Sequence, residues 1–573
     1  MKKTSALLVL ALSVSSSAVL SGCADENDPK TWVGRLDDAG KRAAAVKRLG
    51  QFFEDTMTKA NGDRNDPTVK ALLDTVAEPM AKTYAAGSGD EKTRRELLKI
   101  LSDLQDTRTA PAFTRAFQDY EAGRNDEEVR NATAAIVAMS KRGQAIDPAL
   151  ADATFALFAK FKPSKSKLQG AFKGLHDAVL DIKSPAWGAK AAELLNAGVD
   201  ESPDSKLDEI MFRQLTAVQL LGELKDPATV PALVKVLLTP SKRDLRATVS
   251  SALLRIGAPA EAPLAAALGG KDATWAPLEE SWGPNRGWVP AIAEAATMLG
   301  RPAIRTETLA LLGSEANPTN KALLAQFAYR FAPNAEILAA YKEAVEKADP
   351  ELMLEGDAMG NARTTMLASA TYFYDPSLVE WIVKLAAPAQ KAVAKKKDEQ
   401  LTTLAIETDT AIKLMTKAQL AAVQPLAKST DDAMTALAGV KGATMQGKYD
   451  AAAAVVNACD ADVACYLKAL AEPVETGKPV KVMKAVKAAT MVAVLGAADG
   501  VANAQKLAKV VAKQTDPSAR LASVEAIDFL LPKGSSEVAA VLDELVESEG
   551  KAGQKNPAHD AMAKVAMRLR ARL

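Results

Sequence analysis

The residue types that most often carry chemistry are sparse in this 573-residue chain. Only two histidines occur, His176 and His559, far apart in sequence. His559-Asp560 runs into Ala-Met-Ala-Lys and so lacks the second histidine of an H-E-x-x-H zinc helix. No G-x-S-x-G nucleophile turn, no G-x-x-x-x-G-K-[ST] phosphate loop and no G-x-G-x-x-G turn is present. Asn61-Gly-Asp63-Arg-Asn65-Asp66 has oxygen ligands at nearly the spacing of a calcium loop. Asp66, however, stands where the turn glycine belongs, and Leu72 where the bidentate glutamate belongs, so the stretch reads as a solvated interhelix loop. The other carboxylates fall on helical stretches as exposed faces and caps. These observations predict a protein that is not an enzyme, with no catalytic residue, no metal ion and no cofactor. Lys and Arg number 72 against 71 Asp and Glu, so no charge bias points to nucleic acid. The run Lys395-Lys396-Lys397-Asp398-Glu399 is mixed in sign and reads as a solvated helix face.

Chemistry suited to recognition is more concentrated. Trp275, Trp282, Trp288, Phe327, Tyr329, Phe331, Tyr341, Tyr372, Phe373, Tyr374 and Trp381 crowd residues 275–381, whereas only Tyr449, Tyr466 and Phe529 follow. Three of the tryptophans lie within 275–288, a Pro- and Gly-containing stretch unsuited to one regular helix. Trp, Tyr and Arg dominate interface energetics, so Trp275, Trp282, Arg286 and Trp288 are the candidate partner-binding residues. The competing reading is a loop folded over the core with its tryptophans buried.

The N-terminus has a different composition. Lys2 and Lys3 precede an apolar and small-residue stretch, Ala6 to Leu20, too short to span a bilayer in the usual way. It ends in Leu20-Ser21-Gly22-Cys23, which resembles a bacterial lipobox. The resemblance implies a signal peptide over 1–22, cleavage before Cys23, lipidation of Cys23 and a short polar tether over 23–31. Multiple acyl chains hold a protein on a membrane where one is marginal. Ala24 after the cysteine implies outer-membrane sorting, facing the periplasm or the cell surface. Beyond this stretch no run of about 18 apolar residues is free of charge. With Cys23 lipidated, Cys459 and Cys465 remain as an even pair in an oxidising compartment, which suggests a disulfide. In one continuous helix their six-residue separation places them about 9 Å apart along the axis. That exceeds disulfide reach, so bonding requires a helix break, for which Asp460 and Asp462 are suitable turn or cap residues. Metal binding lacks nearby histidine ligands, and a redox role lacks the C-x-x-C spacing.

The rest of the chain must build these positions from helices. Around residue 205, Ser205 with Asp208 suggests a capping box, followed by Met211, Leu215, Val218, Leu221 and Leu224 on one face. Asp226-Pro227 restarts a helix whose buried stripe is Val230, Leu233, Val234, Leu237 and Leu238. Ser241 and Asp244 open another, carrying Leu245, Val249, Leu253 and Ile256 and stopped at Gly257; a shorter one, with Leu264 and Leu268, stops at Gly269. The pattern Leu-x-x-Leu-x-Asp-x-x-Thr-x-Pro-Ala-apolar occurs from Leu101 to Phe113 and again from Leu221 to Leu233. Met298 to Pro302, Val494 to Asp499 and Asp516 to Pro532 carry weaker versions. The last helix, from Pro557, ends in Arg568, Arg570 and Arg572, a polar cap or, in a second reading, a cationic end beside lipid phosphate.

These helix pairs resemble HEAT repeats, including the short HEAT-like type with a Leu-Gly-x-Leu-x-Asp turn. The resemblance is strict over roughly 205–270 and 90–120 and looser over most of 32–573. It implies an all-α fold, an α-solenoid of stacked antiparallel helix pairs in a right-handed superhelix, with about a dozen pairs over 32–573. Stacking is required because each pair alone exposes an apolar face, and burying one Leu or Val contributes about 1.5–3 kcal/mol. The implied function is a non-catalytic, membrane-anchored scaffold or assembly factor that binds an envelope protein. The alternatives are a carrier of a lipid, peptide or glycan in the superhelix groove, and an enzyme of the HEAT-like lyase type.

Overall fold

Two stretches with the same residue pattern fold into the same turn. The helices Glu91–Leu104 and Leu215–Leu224 end in left-handed residues, Gln105 (φ 48°) and Lys225 (φ 54°). Asp106 and Asp226 follow in extended conformation and accept hydrogen bonds from the N–H of Arg108 and Ala228, each at 3.0 Å. One 3-10 turn later, the Thr109 and Thr229 hydroxyls donate to the Asp106 and Asp226 carbonyls at 2.6 and 2.7 Å. Both threonines are buried, so the local carbonyl satisfies a hydroxyl that would otherwise be desolvated alone. Pro111 and Pro231 then sit in the first turns of Ala110–Gln118 and Val230–Leu237, where their missing N–H costs little. A left-handed non-glycine residue costs about 1–2 kcal/mol, which the cap and the buried threonine offset.

The computed structural model describes residues 25–573 except 271, 284, 355–359, 396–399, 440–443, 475–476 and 554–556. Cys23, the tether residue Ala24 and most of the run 395–399 lie outside the described residues. Where the sequence reading runs one array from 32 to 573, the helices gather into two compact units, Met1–Ile182 and Lys183–Leu573. Each is an α-solenoid of antiparallel helix pairs, and no strand occurs among the described residues beyond an isolated bridge between Met353 and Asn361. In the first unit, Arg42–Lys59, Glu91–Leu104, Asp126–Lys141 and Gln169–Ile182 stack as one layer. Pro67–Ala85, Ala110–Gln118 and Pro148–Lys160 stack as the other.

A cation from a neighbouring repeat recurrently covers the open carbonyls at a helix end, where the backbone has unsatisfied acceptors and partial negative charge. Arg64 donates to the Asp103 and Leu104 carbonyls, both at 2.7 Å, and Arg142 to that of Gln105 at 2.9 Å. In the second unit Lys242 covers Leu195, and Arg572 covers Asp528 and Leu531, while Arg330 reaches the Glu294 carbonyl within Trp288–Leu299. Lys487, fully buried, covers Ile412, Lys413 and Met415 at the end of Leu401–Leu414. Burial pushes the Lys487 ammonium well below the usual lysine range.

Residues 203–224 differ from the sequence reading. Ser202, not Ser205, is the N-cap, and its hydroxyl accepts from the Ser205 N–H. Lys206–Gln214 then forms a π-helix. The wider turn rotates each residue less than an α-helix does, so the 3.6-residue stripe loses register there. Met211, expected on the core face, is 60% exposed, while Ile210 and Phe212 are buried. The stripes of Val230–Leu237 and Arg246–Ile256 are buried as expected; Gly257 ends the second, and the shorter helix Glu261–Gly269 runs one residue longer, to a left-handed Gly270.

The second unit returns on itself. Leu215–Leu224, Arg246–Ile256, Trp288–Leu299, Pro318–Phe327, Ala362–Leu367 and Leu401–Leu414 form an inner layer that continues through Pro479–Gly496 and Pro517–Leu530. The final helix, Pro557–Ala571, packs on Pro517–Leu530 and also on Arg246–Ile256 and Trp288–Leu299. Arg301 donates to the Ala571 carbonyl, and the Tyr374 ring meets Phe529 at 4.8 Å between centroids. The last helix is therefore no cationic end beside lipid. Arg568 is buried, and both Arg568 and Arg572 pair with Asp528, while Arg570 pairs with Asp543. The run Pro479–Val511 is long and apolar enough to cross a membrane, but 56% of its most apolar window is buried inside the unit.

Removing the cap of the shared turn tests this account of helix pairing. Asp226→Ala should lower stability by about 0.5–2 kcal/mol in urea denaturation, with the larger loss when Thr229→Val is added. An unchanged midpoint would contradict it.

Candidate functional site

The tryptophan-rich stretch folds against the core. Trp275 and Trp288 are buried, at 6% and 3% exposure. Trp282 is half-buried; its indole N–H donates to the Leu238 carbonyl at 2.7 Å, and the Arg246 guanidinium lies 4.8 Å from its ring. Arg286 takes a left-handed φ of 50°, lies 5.2 Å from the Trp288 ring and pairs with buried Glu315 at 3.3 Å. The Asn320 amide donates to the Asn285 and Arg286 carbonyls at 2.9 and 3.1 Å, pinning the turn. The geometry thus takes Trp275 and Trp288 out of the expected partner surface. The physical reason is that the irregular stretch covers the ends of neighbouring helices, where large apolar rings are the fill. Trp282 and Arg286 alone of the four keep exposed surface. Trp282→Ala should destabilise the second unit by about 2 kcal/mol or more through lost packing and an unpaired carbonyl, read by thermal and urea unfolding. Unchanged stability would return Trp282 to the surface reading.

At the cysteine pair the helix Met445–Cys459 ends at the first cysteine, and Asp460 turns to a left-handed φ of 48°. Asp462 caps Val463–Leu470 by accepting from the Ala464 N–H. The break brings the two Cα atoms to 5.3 Å, in disulfide geometry. The Tyr466 hydroxyl donates to the Asp460 carbonyl and closes the turn. Replacing both cysteines by serine should cost about 2 kcal/mol under oxidising conditions and nothing under strong reductant.

The carboxylates of the loop 61–66 are occupied locally. Asp63 accepts from the Asn65 N–H, and Asp66 caps Pro67–Ala85 through the Thr68 N–H and hydroxyl. His176 lies against Asp177, and His559 lies 3.3 Å from Glu549, which also pairs with Arg520. Among the described residues no group of three His, Cys, Asp or Glu side chains is placed to hold a metal ion.

The site that sequence reading missed is a cavity of about 400 Å³ in the second unit. Its walls come from the turn after Ala362–Leu367 and from Leu401–Leu414, Met445–Cys459, Pro479–Gly496 and Pro517–Leu530. Val480, Val482, Met483, Val486 and Leu521 make one side apolar. At the other, Asp409 accepts from Lys413 at 2.7 Å and from Lys448 at 2.6 Å. Burial raises the Asp409 carboxyl, but the two ammoniums prevail and hold it below the usual range. The pair Asp409 and Lys413, four apart on a helix, was visible in the sequence; Lys448 joins them from one repeat later.

Glu407 is a buried group that this cavity does not use. It is fully buried, and neither carboxylate oxygen has a hydrogen-bond partner among the described residues. Burial, opposed by Arg363, raises its pKa from 4.5 to about 7. The folded chain therefore binds this proton more tightly than the unfolded chain. The stabilising contribution is complete below the unfolded value and is lost as pH rises through 7. Glu407→Gln should remove that loss, so the variant gains stability over the native chain above pH 7. An unchanged pH profile would contradict the assignment.

The fold defines an all-α helical-repeat protein. No protein-family model and no curated protein sequence matches the chain. Among solved structures it is similar to the karyopherin Kap121p, with a TM-score of 0.42 and 11% identity over 93% of this chain and 68% of that one. It is also similar to importin beta, with a TM-score of 0.31 and 10% identity over 95% of this chain and 74% of that one. The UNC-45 chaperone aligns at a TM-score of 0.23 and 12% identity, over 94% and 71%.

Proposed function

We propose that this chain is a lipid-anchored, non-catalytic helical-repeat protein of the cell envelope that binds another protein as a scaffold or assembly factor. The observation that supports binding over catalysis is the use made of its polar groups. Asp106, Asp226, Thr109 and Thr229 close turns, and Arg64, Arg142, Arg572 and Lys487 cover helix ends. Such a frame holds successive helix faces at fixed spacing, the device by which stacked repeats present an extended surface. The lipobox residues Leu20 to Cys23 support the anchor, and the Cys459–Cys465 geometry suits an oxidising compartment. Tethering at Cys23 would raise the local concentration of a membrane-associated partner.

Fractionation combined with in-cell crosslinking tests this reading. The native chain should occur in the membrane fraction with a lipid-modified N-terminal cysteine and a stoichiometric protein partner. Cys23→Ser should leave it unlipidated and reduce capture of that partner. An unmodified native chain found with the soluble proteins, or full capture by Cys23→Ser, would contradict the proposal.

A further inference from the structure

The cavity beside Asp409 has features that the scaffold reading does not use. It is the size of a small-ligand pocket, with a lining that is mostly apolar, includes Thr371, Tyr372, Tyr374, Thr490 and Ser518, and carries its charged groups around Asp409. The only charged side chains among the described residues lining it are Asp409, Lys413 and Lys448. The single carboxylate bridges both ammoniums, one on each oxygen, and so fixes their positions. One positive charge is left without an acid partner in the lining. Thr444 lies beside them, its side chain accepting from the Gly447 N–H at the start of Met445–Cys459. Asp431 is occupied by the N–H groups of Met445 and Gln446, and Glu525 acts on the lining tyrosines Tyr372 and Tyr374. On the opposite side Val480, 52% exposed, continues through Val482 and Met483 to Val486 along one helix, facing Leu521 from another.

We propose that this cavity binds an anionic amphiphile, a single carboxylate or phosphate head on an apolar chain. The head pairs with Lys413 and Lys448 beside Asp409, where it supplies the missing negative charge. The chain lies along Val480, Met483, Val486 and Leu521. An ion pair needs both ammoniums held in place, and the Asp409 bridge does this before any ligand arrives, which lowers the ordering cost of binding. A neutral amphiphile would gain only the apolar half, and a cationic one would meet like charge.

Titration calorimetry on the full-length mature chain, with dodecanoate, dodecyl phosphate, dodecanol and dodecyltrimethylammonium below micellar concentrations, tests the assignment. Both anions should bind one per chain, about tenfold or more tighter than the neutral and cationic probes. Whichever anion binds tighter tells a fatty-acid-like ligand from a lipid phosphate. Lys448→Met and Lys413→Met, at partly exposed positions, should each weaken anion binding about tenfold without loss of helicity. Ala522→Trp, filling the cavity, should abolish anion binding. Equal binding of all four probes, or anion binding unchanged by Lys448→Met, would overturn the proposal.

Discussion

Asp528 is the point on which the second unit depends. It is buried, and burial alone would raise its carboxyl; Arg568 and Arg572 nevertheless hold it below the ordinary carboxylate range. Arg568 reaches it at 3.0 Å from the last helix and Arg572 at 3.1 Å from the residue just past its end. Arg568 also faces Glu525 at 3.5 Å, and Arg572 additionally covers the Asp528 and Leu531 carbonyls. A buried carboxylate stripped of its partners costs about 3–5 kcal/mol. The last helix is thus fixed in place by charge as well as by Met562, Val565 and Leu569, which are fully buried. Because that helix also packs on Arg246–Ile256, the inner layer of the unit is occupied by its own chain end.

The last helix fills part of the inner layer, against Arg246–Ile256 and Trp288–Leu299. Besides the cavity at Asp409, cavities of about 560 and 430 Å³ lie between the last helix and the helices Leu215–Leu224 and Arg246–Ile256. On the proposed scaffold role, a partner on the outward helix faces and a small ligand in the cavity at Asp409 would use different surfaces. The Trp275–Trp288 stretch belongs to the frame, with Trp282 tied to Leu238 and Arg286 to Glu315.

Features legible in the sequence are those decided within about six residues. Asp106 and Asp226 cap where their spacing says they should, and the helix breaks between Cys459 and Cys465 at Asp460 and Asp462. Features that escaped need information from elsewhere. Ser202 caps with Pro203 at the first helical position, and Met211 leaves the core face because a π-helix begins at Lys206, a change of pitch that the 3.6-residue period does not announce. The burial of Trp288 depends on packing that composition does not encode. Asp409 meets Lys448 only because consecutive repeats are about 40 residues apart, and a search at that period would have found the pair. The return of the last helix to Arg246–Ile256 has no local signal at all.

Native-state hydrogen exchange on Asp528→Asn tests the closure most directly. Asparagine keeps the size of the side chain and removes the charge that Arg568 and Arg572 share. The account predicts that amides of Met562 to Leu569 and of Leu253 to Ile256 lose protection together, because the two helices are one packed body. Loss of protection in the last helix alone, with Arg246–Ile256 unaffected, would contradict it.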